Sequence, residues 1–240
     1  MRLTARPSGP LAGAALAPGD KSVSHRALIL GALARGVTEI DGLLESADVL
    51  ATARAVAAFG ADVEQLGPGR WRVAGAPWRT PDAPVDCGNS GTACRLLMGA
   101  AAGQGVGATF VGDASLSSRP MRRVTQPLGA MGARFESGER LPLRLLPGRV
   151  GGIDHVAQIA SAQVKSAILL AGLGSDAQVS VTEPVRTRDH SERMLRAFGA
   201  EVAEVDTPVG RRIAIGARRR LEGQELAVPG DPSSAAFPLA

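Results

Sequence analysis

Lysine occurs only twice in this 240-residue chain, at Lys21 and Lys165, and arginine supplies every other basic side chain. A lysine retained in such a chain is a candidate for proton exchange, which arginine cannot perform. Lys21 lies in PGDKSVSHRAL (18–28), where Pro18 and Gly19 form a turn just before an apolar helix. Lys21, Ser22 and Arg26 therefore fall at or near a helix N-terminus. Free backbone N–H groups, the helix dipole, a hydroxyl and two cations together favour an anion there. Taken alone, the motif reads more readily as a capped helix with two solvated charges. It is not a nucleotide P-loop, because Asp20 separates Gly19 from Lys21 and GxxxxGK is absent.

Four further stretches carry candidate residues of the same kind; taken alone, the first reads evenly as an ordinary Asn-Gly-rich turn, and the lone arginine of the second as surface charge. DCGNSGTACRLL (86–97) runs a polar, glycine-rich turn into an apolar helix, with Asn89 in the turn, Gly91 open to close ligand approach, Thr92 as expected cap and Arg95 in the first turn. GDASLSSRPM (112–121) sets Arg119 before Pro120, which is expected to be the first residue of a helix. ASAQVKSAILLAGL (160–173) heads a third apolar helix with Ser161 and Gln163. EPVRTRDHSERML (183–195) places Arg186, Arg188 and His190 ahead of another helix, a pattern that spacing alone reads first as a solvated, charged helix start.

These sites sit on a repeated scaffold. The apolar runs at 26–36, 94–105 and 166–176 each end in or near Gly and predict buried helices. A second helical stretch follows each run and stops at Gly60, Gly132 or Gly199, where β-like patterning begins. Short strands at 70–75, 141–148 and 211–217 close the units. The period is about 70 residues, and each unit reads strand–helix–strand–helix–strand–strand, an α/β or α+β arrangement. No GxGxxG opens a helix after a first strand, which argues against a dinucleotide fold. Pro18-Gly19-Asp20 recurs as Pro229-Gly230-Asp231, so a fourth unit is expected to start at the end of this sequence. If the three units pack about one axis, their helix N-termini converge and collect anions.

Composition agrees with a folded chain and narrows its partners. Hydrophobic residues make up 45% and charged residues 21%, which suits a packed core. Aromatics are only 3%, with no Tyr, so the stacking platforms of a single-strand nucleic-acid binder are missing. The net charge of +4 is dispersed, which suits small anions better than a nucleic acid. Cys87 and Cys94 form no metal or CxxC pattern. The first 20 residues lack a continuous apolar core, and no run approaches a membrane span. The expected location is the cytoplasm, with no membrane partner.

The strings PGDKSVSHRAL, GNSGTACRLL, GDASLSSRPM, ASAQVKSAILLAGL and TRDHSERML, in this order, resemble EPSP synthases, and PGDPSSAAFPL (229–239) matches a further family segment. The resemblance implies two domains, each of three βαβαββ units with helices inside, and a cleft between them. The chain is then expected to hold an N-terminal segment (1–17) that packs with a missing second domain, a substrate-binding domain (18–228) and the start of the second domain (229–240). It implies transfer of the enolpyruvyl group of phosphoenolpyruvate to the 5-hydroxyl of shikimate 3-phosphate, releasing phosphate, with no metal and no organic cofactor. It further implies that Lys21, Ser22 and Arg26 hold shikimate 3-phosphate, with Lys21 also reaching phosphoenolpyruvate as the catalytic lysine. Gly91 and Arg119 are to contact phosphoenolpyruvate, with Asn89 and Thr92 in the same substrate-binding set. Ser161, Ala162 and Gln163 are to line the shikimate phosphate site, joined by Arg188. Ala162 offers only backbone where many members carry a second Ser.

The family inhibitor glyphosate occupies the phosphoenolpyruvate site, and this chain is similar to the class often insensitive to it. Insensitive members can carry Ala at the position of Gly91. Two alternatives stand beside this reading: the related enolpyruvyltransferase acting on UDP-N-acetylglucosamine, and a non-catalytic phosphate-binding module. The first typically has Lys-Asn where this chain has Lys21-Ser22. The chain alone is expected to be inactive, and the full-length enzyme monomeric.

Overall fold

The structure is a computed structural model and describes Thr4, residues 13–136 and residues 139–239. Most of the segment expected to pack with a second domain, 1–17, lies outside the described residues.

Three helices form the centre. They are α1 (Lys21–Leu33), α3 (Gly91–Gly103) and α6 (Ala162–Gly172), whose buried residues run almost without interruption. An apolar run with no polar face has nowhere to go but between other layers. Each starts on a side-chain cap: Asp20 accepts from the Val23 N–H at 2.8 Å, Ser90 from Ala93 at 3.1 Å and Ser161 from Val164 at 3.4 Å. Such a cap contributes about 1 kcal/mol and fixes where the free N–H groups lie. The cap of α3 is Ser90, not Thr92: helical geometry begins one residue before Thr92, which leaves that hydroxyl free for another partner.

Each inner helix is backed by a four-stranded sheet of the same order. In the second unit β4 (Val85–Asp86) pairs parallel with β5 (Ala108–Val111), followed by β7 (Leu143–Leu145) and β6 (Phe135–Glu136), both antiparallel. The third repeats this with β8 (Ile153–Val156), β9 (Val179–Glu183), β11 (Gly210–Ile215) and β10 (Val202–Thr207). In the first unit β1 (Val37–Asp41), β3 (Arg70–Ala74) and β2 (Asp62–Gly67) match, but the leading strand comes from the other end of the chain. It is β12 (Glu225–Ala227), parallel to β1 with Glu39 opposite Glu225. The expected strand-first unit therefore holds in space for all three repeats, and in sequence for only the last two.

Outer helices α2 (Ala47–Ala58), α5 (Arg122–Ala130) and α7 (His190–Ala197) lead into Gly60, Gly132 and Gly199, with φ of 117°, 103° and 95°. That is the left-handed turn a glycine makes without penalty, and it redirects each chain into its strand. A short helix, α4 (Ala114–Ser118), precedes α5. Helix α5 begins at Arg122, so Pro120 is not its first residue; Arg119 lies in extended backbone between the two helices.

Inner helices α3 and α6 touch backbone to backbone. A Cβ on Gly99 would stand 2.6 Å from the Ala167 Cα, and one on Gly103 2.8 Å from the Ala171 carbonyl oxygen. Glycine lets the two axes approach. The pairs Gly99–Ala167 and Gly103–Ala171 keep one sequence offset, so the helices run parallel in register and their N-termini share one end. At that end the two Pro-Gly-Asp turns also meet. Asp20 N–H donates to the Pro229 carbonyl and Asp231 N–H to the Pro18 carbonyl, each at 2.8 Å, where α8 (Pro232–Leu239) begins. No helix among the described residues is long and apolar enough to cross a membrane.

Candidate active site

The shared end of α1, α3 and α6 is cross-linked by polar side chains. Gln163, in the first turn of α6, donates from Nε2 to Thr92 Oγ1 at 2.9 Å and accepts at Oε1 from Arg95 Nη1 at 2.9 Å. A donor on one side and an acceptor on the other fix its amide orientation. Arg95 Nη1 also donates to the Gly91 carbonyl at 3.1 Å. Arg26 on α1 reaches across to α6 and α7: Nε donates to Ser191 Oγ at 2.7 Å, Nη2 to Ser166 Oγ at 2.8 Å and Nη1 to the Ser22 carbonyl at 2.9 Å. Arg188, in the loop before α7, donates from Nη1 to Ser22 Oγ at 3.2 Å. His25 is wholly buried between α1, α2 and α3, with Nδ1 at 2.7 Å from Thr52 Oγ1 and Nε2 at 3.3 Å from Ser90 Oγ. Thr52 already donates to the Asp48 carbonyl, so the ring carries its proton on Nδ1 and accepts the Ser90 hydroxyl at Nε2.

Two groups of cations result. Lys21, Arg26 and Arg188 surround Ser22, while Arg95 and Arg119 converge on Gly91. A Cβ built there would meet Arg95 Nη1 at 2.6 Å and Arg119 Nη1 at 3.4 Å. Arg119 is aimed by a relay: its Nη2 donates to Asn89 Oδ1 at 2.6 Å and Ser115 Oγ at 3.1 Å, and Asn89 Nδ2 donates to Asp113 Oδ2 at 2.7 Å. Asp113 also caps α4; the Leu116 N–H and then Asn89 hold its carboxyl below the usual carboxylate range.

Burial shapes the electrostatics more than pairing does. Arg26 is only 4% exposed, and desolvation, opposed first by the Glu192 charge, brings its pKa down to about 10. It stays charged at neutral pH. Arg95 is equally buried, its Nε has no partner, and desolvation followed by the neighbouring Arg123 charge lowers its pKa. Among the described residues neither guanidinium makes an ion pair with a carboxylate. A cation held in such a place is an unmet demand for an anion. Desolvation, helped by the Lys21 charge, takes His25 down to about 3, so its ring is neutral.

The expected site residues are thus brought together, with adjustments. Lys21 is paired with Asp48 of α2 and remains half exposed, so its nearest charged neighbour is an acid rather than Arg26 or Arg119. Ser161 serves as the α6 cap and Ala162 is the first residue of that helix. Arg186 faces away, bonded to Asp206 at 3.0 Å on the outer strands. Arg95, not among the expected ligands, is bonded to two of them, the Gly91 carbonyl and Gln163. Its signal was present: one arginine inside an apolar run, four residues after Gly91 and so on the same helix face. His25 gave none, because its partners lie on two other helices.

The domain is built of three like units whose inner helices α1 and α3 carry buried guanidiniums, on Arg26 and Arg95, near their shared N-terminal end. The chain matches EPSP synthase (3-phosphoshikimate 1-carboxyvinyltransferase) over residues 5–240 and belongs to that family. It is 55% identical to the 3-phosphoshikimate 1-carboxyvinyltransferase of Maricaulis maris, over 99% of this chain and 54% of that protein. The corresponding protein of Phenylobacterium zucineum is 57% identical, over 99% and 53%. The solved EPSP synthase of Acinetobacter baumannii superposes with a TM-score of 0.86 at 43% identity, covering 94% of this chain and 51% of that one. The chain spans about half the length of the curated relatives it matches.

Proposed function

We propose that this chain supplies the substrate-binding half of an enzyme that transfers the enolpyruvyl group of phosphoenolpyruvate to the 5-hydroxyl of shikimate 3-phosphate, releasing phosphate. Family membership supports this, and one observation carries it: Arg26 and Arg95, both buried and without carboxylate partners, head neighbouring helices that start at one rim. In this reading residues 18–228 form the domain that holds both substrates, and 229–240 open the domain that follows in the relatives. Arg26, Arg188, Lys21 and Ser22 take shikimate 3-phosphate, with its phosphate at Ser161, the Ala162 backbone and Gln163. Arg119, Arg95, Asn89, Thr92 and the open face of Gly91 take phosphoenolpyruvate.

The physical task is to bring two polyanions into contact against their repulsion. Fixed cations in a poorly solvated rim achieve this, because they reorganise little as charge shifts. Lys21, half exposed and paired with Asp48, is the side chain able to carry the proton leaving the hydroxyl; ligand binding would have to draw it from Asp48. No metal or organic cofactor is called for. The enzyme would act in the cytoplasm, as a monomer when full length, on small molecules rather than nucleic acid or membrane.

Phosphate release with both substrates tests the reading. A chain extended to the relatives' length should turn over, its Lys21→Ala variant should lose at least about a thousandfold in rate, and the 240-residue chain alone should be inactive. Full activity without Lys21 would remove it from the chemistry.

A further inference from the structure

The second lysine, Lys165, plays no part in the site described so far, yet it is the more deeply buried of the two. It lies on α6 with 2% of its side chain exposed. Its ammonium is 2.7 Å from Glu183 Oε2, at the end of β9, and 2.6 Å from Glu192 Oε1, on α7; both carboxylates are equally buried. The other Glu183 oxygen accepts from Thr187 Oγ1 at 2.5 Å, while Glu192 Oε2 has no partner. One ammonium facing two carboxylates leaves a formal excess of negative charge, and burial pushes the Glu192 carboxyl above the usual carboxylate range. Packing alone gives no reason to bury three ions where apolar side chains would fit.

The sequence neighbours of these ions supply the reason. Lys165 is followed by Ser166 and Glu192 is preceded by Ser191. Those two serines clamp the Arg26 guanidinium, and their hydroxyls lie 2.7 Å apart. Ser166 donates to the Ala162 carbonyl at 2.5 Å, so Ser191 donates to Ser166 and both accept from Arg26. The Glu192 charge also faces Arg26 and favours its charged form. Arg26 is thus joined to the cluster through the two serines, with no ion pair of its own among the described residues. Lys165 further holds both ends of one loop: Glu183 opens it, Glu192 lies just past its close, and Arg188 sits inside it, bonded to Ser22.

We propose that Lys165, Glu183 and Glu192 form an ionic staple that positions Arg26 and Arg188 toward the anion-binding rim, so that Lys165 acts on shikimate 3-phosphate affinity without touching it. The affinity part rests on the substrate reading above; the positioning part does not.

The test compares the 240-residue chain with Lys165→Met and with a neutral triple variant, Lys165→Met/Glu183→Gln/Glu192→Gln. The single variant leaves two buried carboxylates facing each other and is expected to lose stability. The triple variant removes the charges while keeping volume, and is expected to stay folded. Two readouts are taken on it. Hydrogen exchange of the Arg26 Nε proton, followed by NMR, is expected to quicken by about tenfold or more as the clamp loosens. The dissociation constant for shikimate 3-phosphate is expected to rise by about tenfold or more, from small displacements of the cations. In a chain extended to the relatives' length, KM for shikimate 3-phosphate should rise while kcat holds. Unchanged Arg26 exchange in the folded triple variant would overturn the staple. Quickened exchange with unchanged shikimate 3-phosphate affinity would overturn its role in binding. A parent chain that binds no shikimate 3-phosphate would instead sink the substrate reading, leaving the exchange comparison to decide the staple.

Discussion

Gly91→Ala adds one methyl at the point where two guanidiniums meet. The new Cβ would lie 2.6 Å from Arg95 Nη1 and 3.4 Å from Arg119 Nη1. Comfortable contact starts near 3.5 Å, so Arg95 must withdraw by about 1 Å while Arg119 barely moves. That same Nη1 donates to the Gly91 carbonyl and to Gln163. Crowding of this size costs about 1–3 kcal/mol, or roughly ten- to hundredfold in affinity. The obstacle is the far end of a flexible side chain, so the fold should survive. The family inhibitor glyphosate is longer than phosphoenolpyruvate and should bear more of the cost. With Gly91 in place, a chain of the relatives' full length should bind glyphosate competitively with phosphoenolpyruvate. Gly91→Ala should raise the glyphosate inhibition constant by about ten- to hundredfold, and the KM for phosphoenolpyruvate by less. Steady-state inhibition of both forms measures this. Equal losses for inhibitor and substrate, or resistance already present with Gly91, would refute the steric argument.

Two further outcomes follow from the packing. Gly99→Ala drives a Cβ into the Ala167 backbone, which cannot swing away, so it should cost about 3 kcal/mol or more and lower Tm by roughly 6–12 °C in thermal melts; an unchanged Tm would mean that α3 and α6 do not touch there. His25 should stay neutral well below its ordinary range. Its folded pKa is depressed, so its contribution is fully present above about pH 6.5 and is lost as pH falls toward about 3, at up to ~1.4 kcal/mol per pH unit. NMR of the ring nitrogens should show the Nδ1–H tautomer with no titration down to pH 5, whereas a titration near 6.5 would contradict the buried network.

The sequence made the repeats visible because helices buried on every side leave an uninterrupted apolar signature, and because Gly60, Gly132 and Gly199 recur at equivalent helix ends. Pairing between distant segments leaves no such mark. Nothing local near Lys21 announces that the first unit borrows β12, or that the two Pro-Gly-Asp turns bond to each other. For the cap of α3, Ser90 and Thr92 are both competent hydroxyls, and only the start of helical geometry chooses between them. Frees from capping, Thr92 instead receives Gln163, a contact between two units. Asp48 was missed as the Lys21 partner for a similar reason: it lies on α2, beyond a turn and a strand. Lys165 was seen as the second lysine, but its burial between Glu183 and Glu192 depends on three elements packing together.

The central claim is that the rim formed by α1, α3 and α6 receives shikimate 3-phosphate through buried Arg26 and exposed Arg188. Calorimetric titration of shikimate 3-phosphate into the 240-residue chain tests it most directly, with Arg26→Met and Arg188→Met measured alongside. One-to-one binding is predicted, weakening as salt rises and falling by about tenfold or more in each variant. Absence of binding, or binding that neither substitution disturbs, would contradict the account.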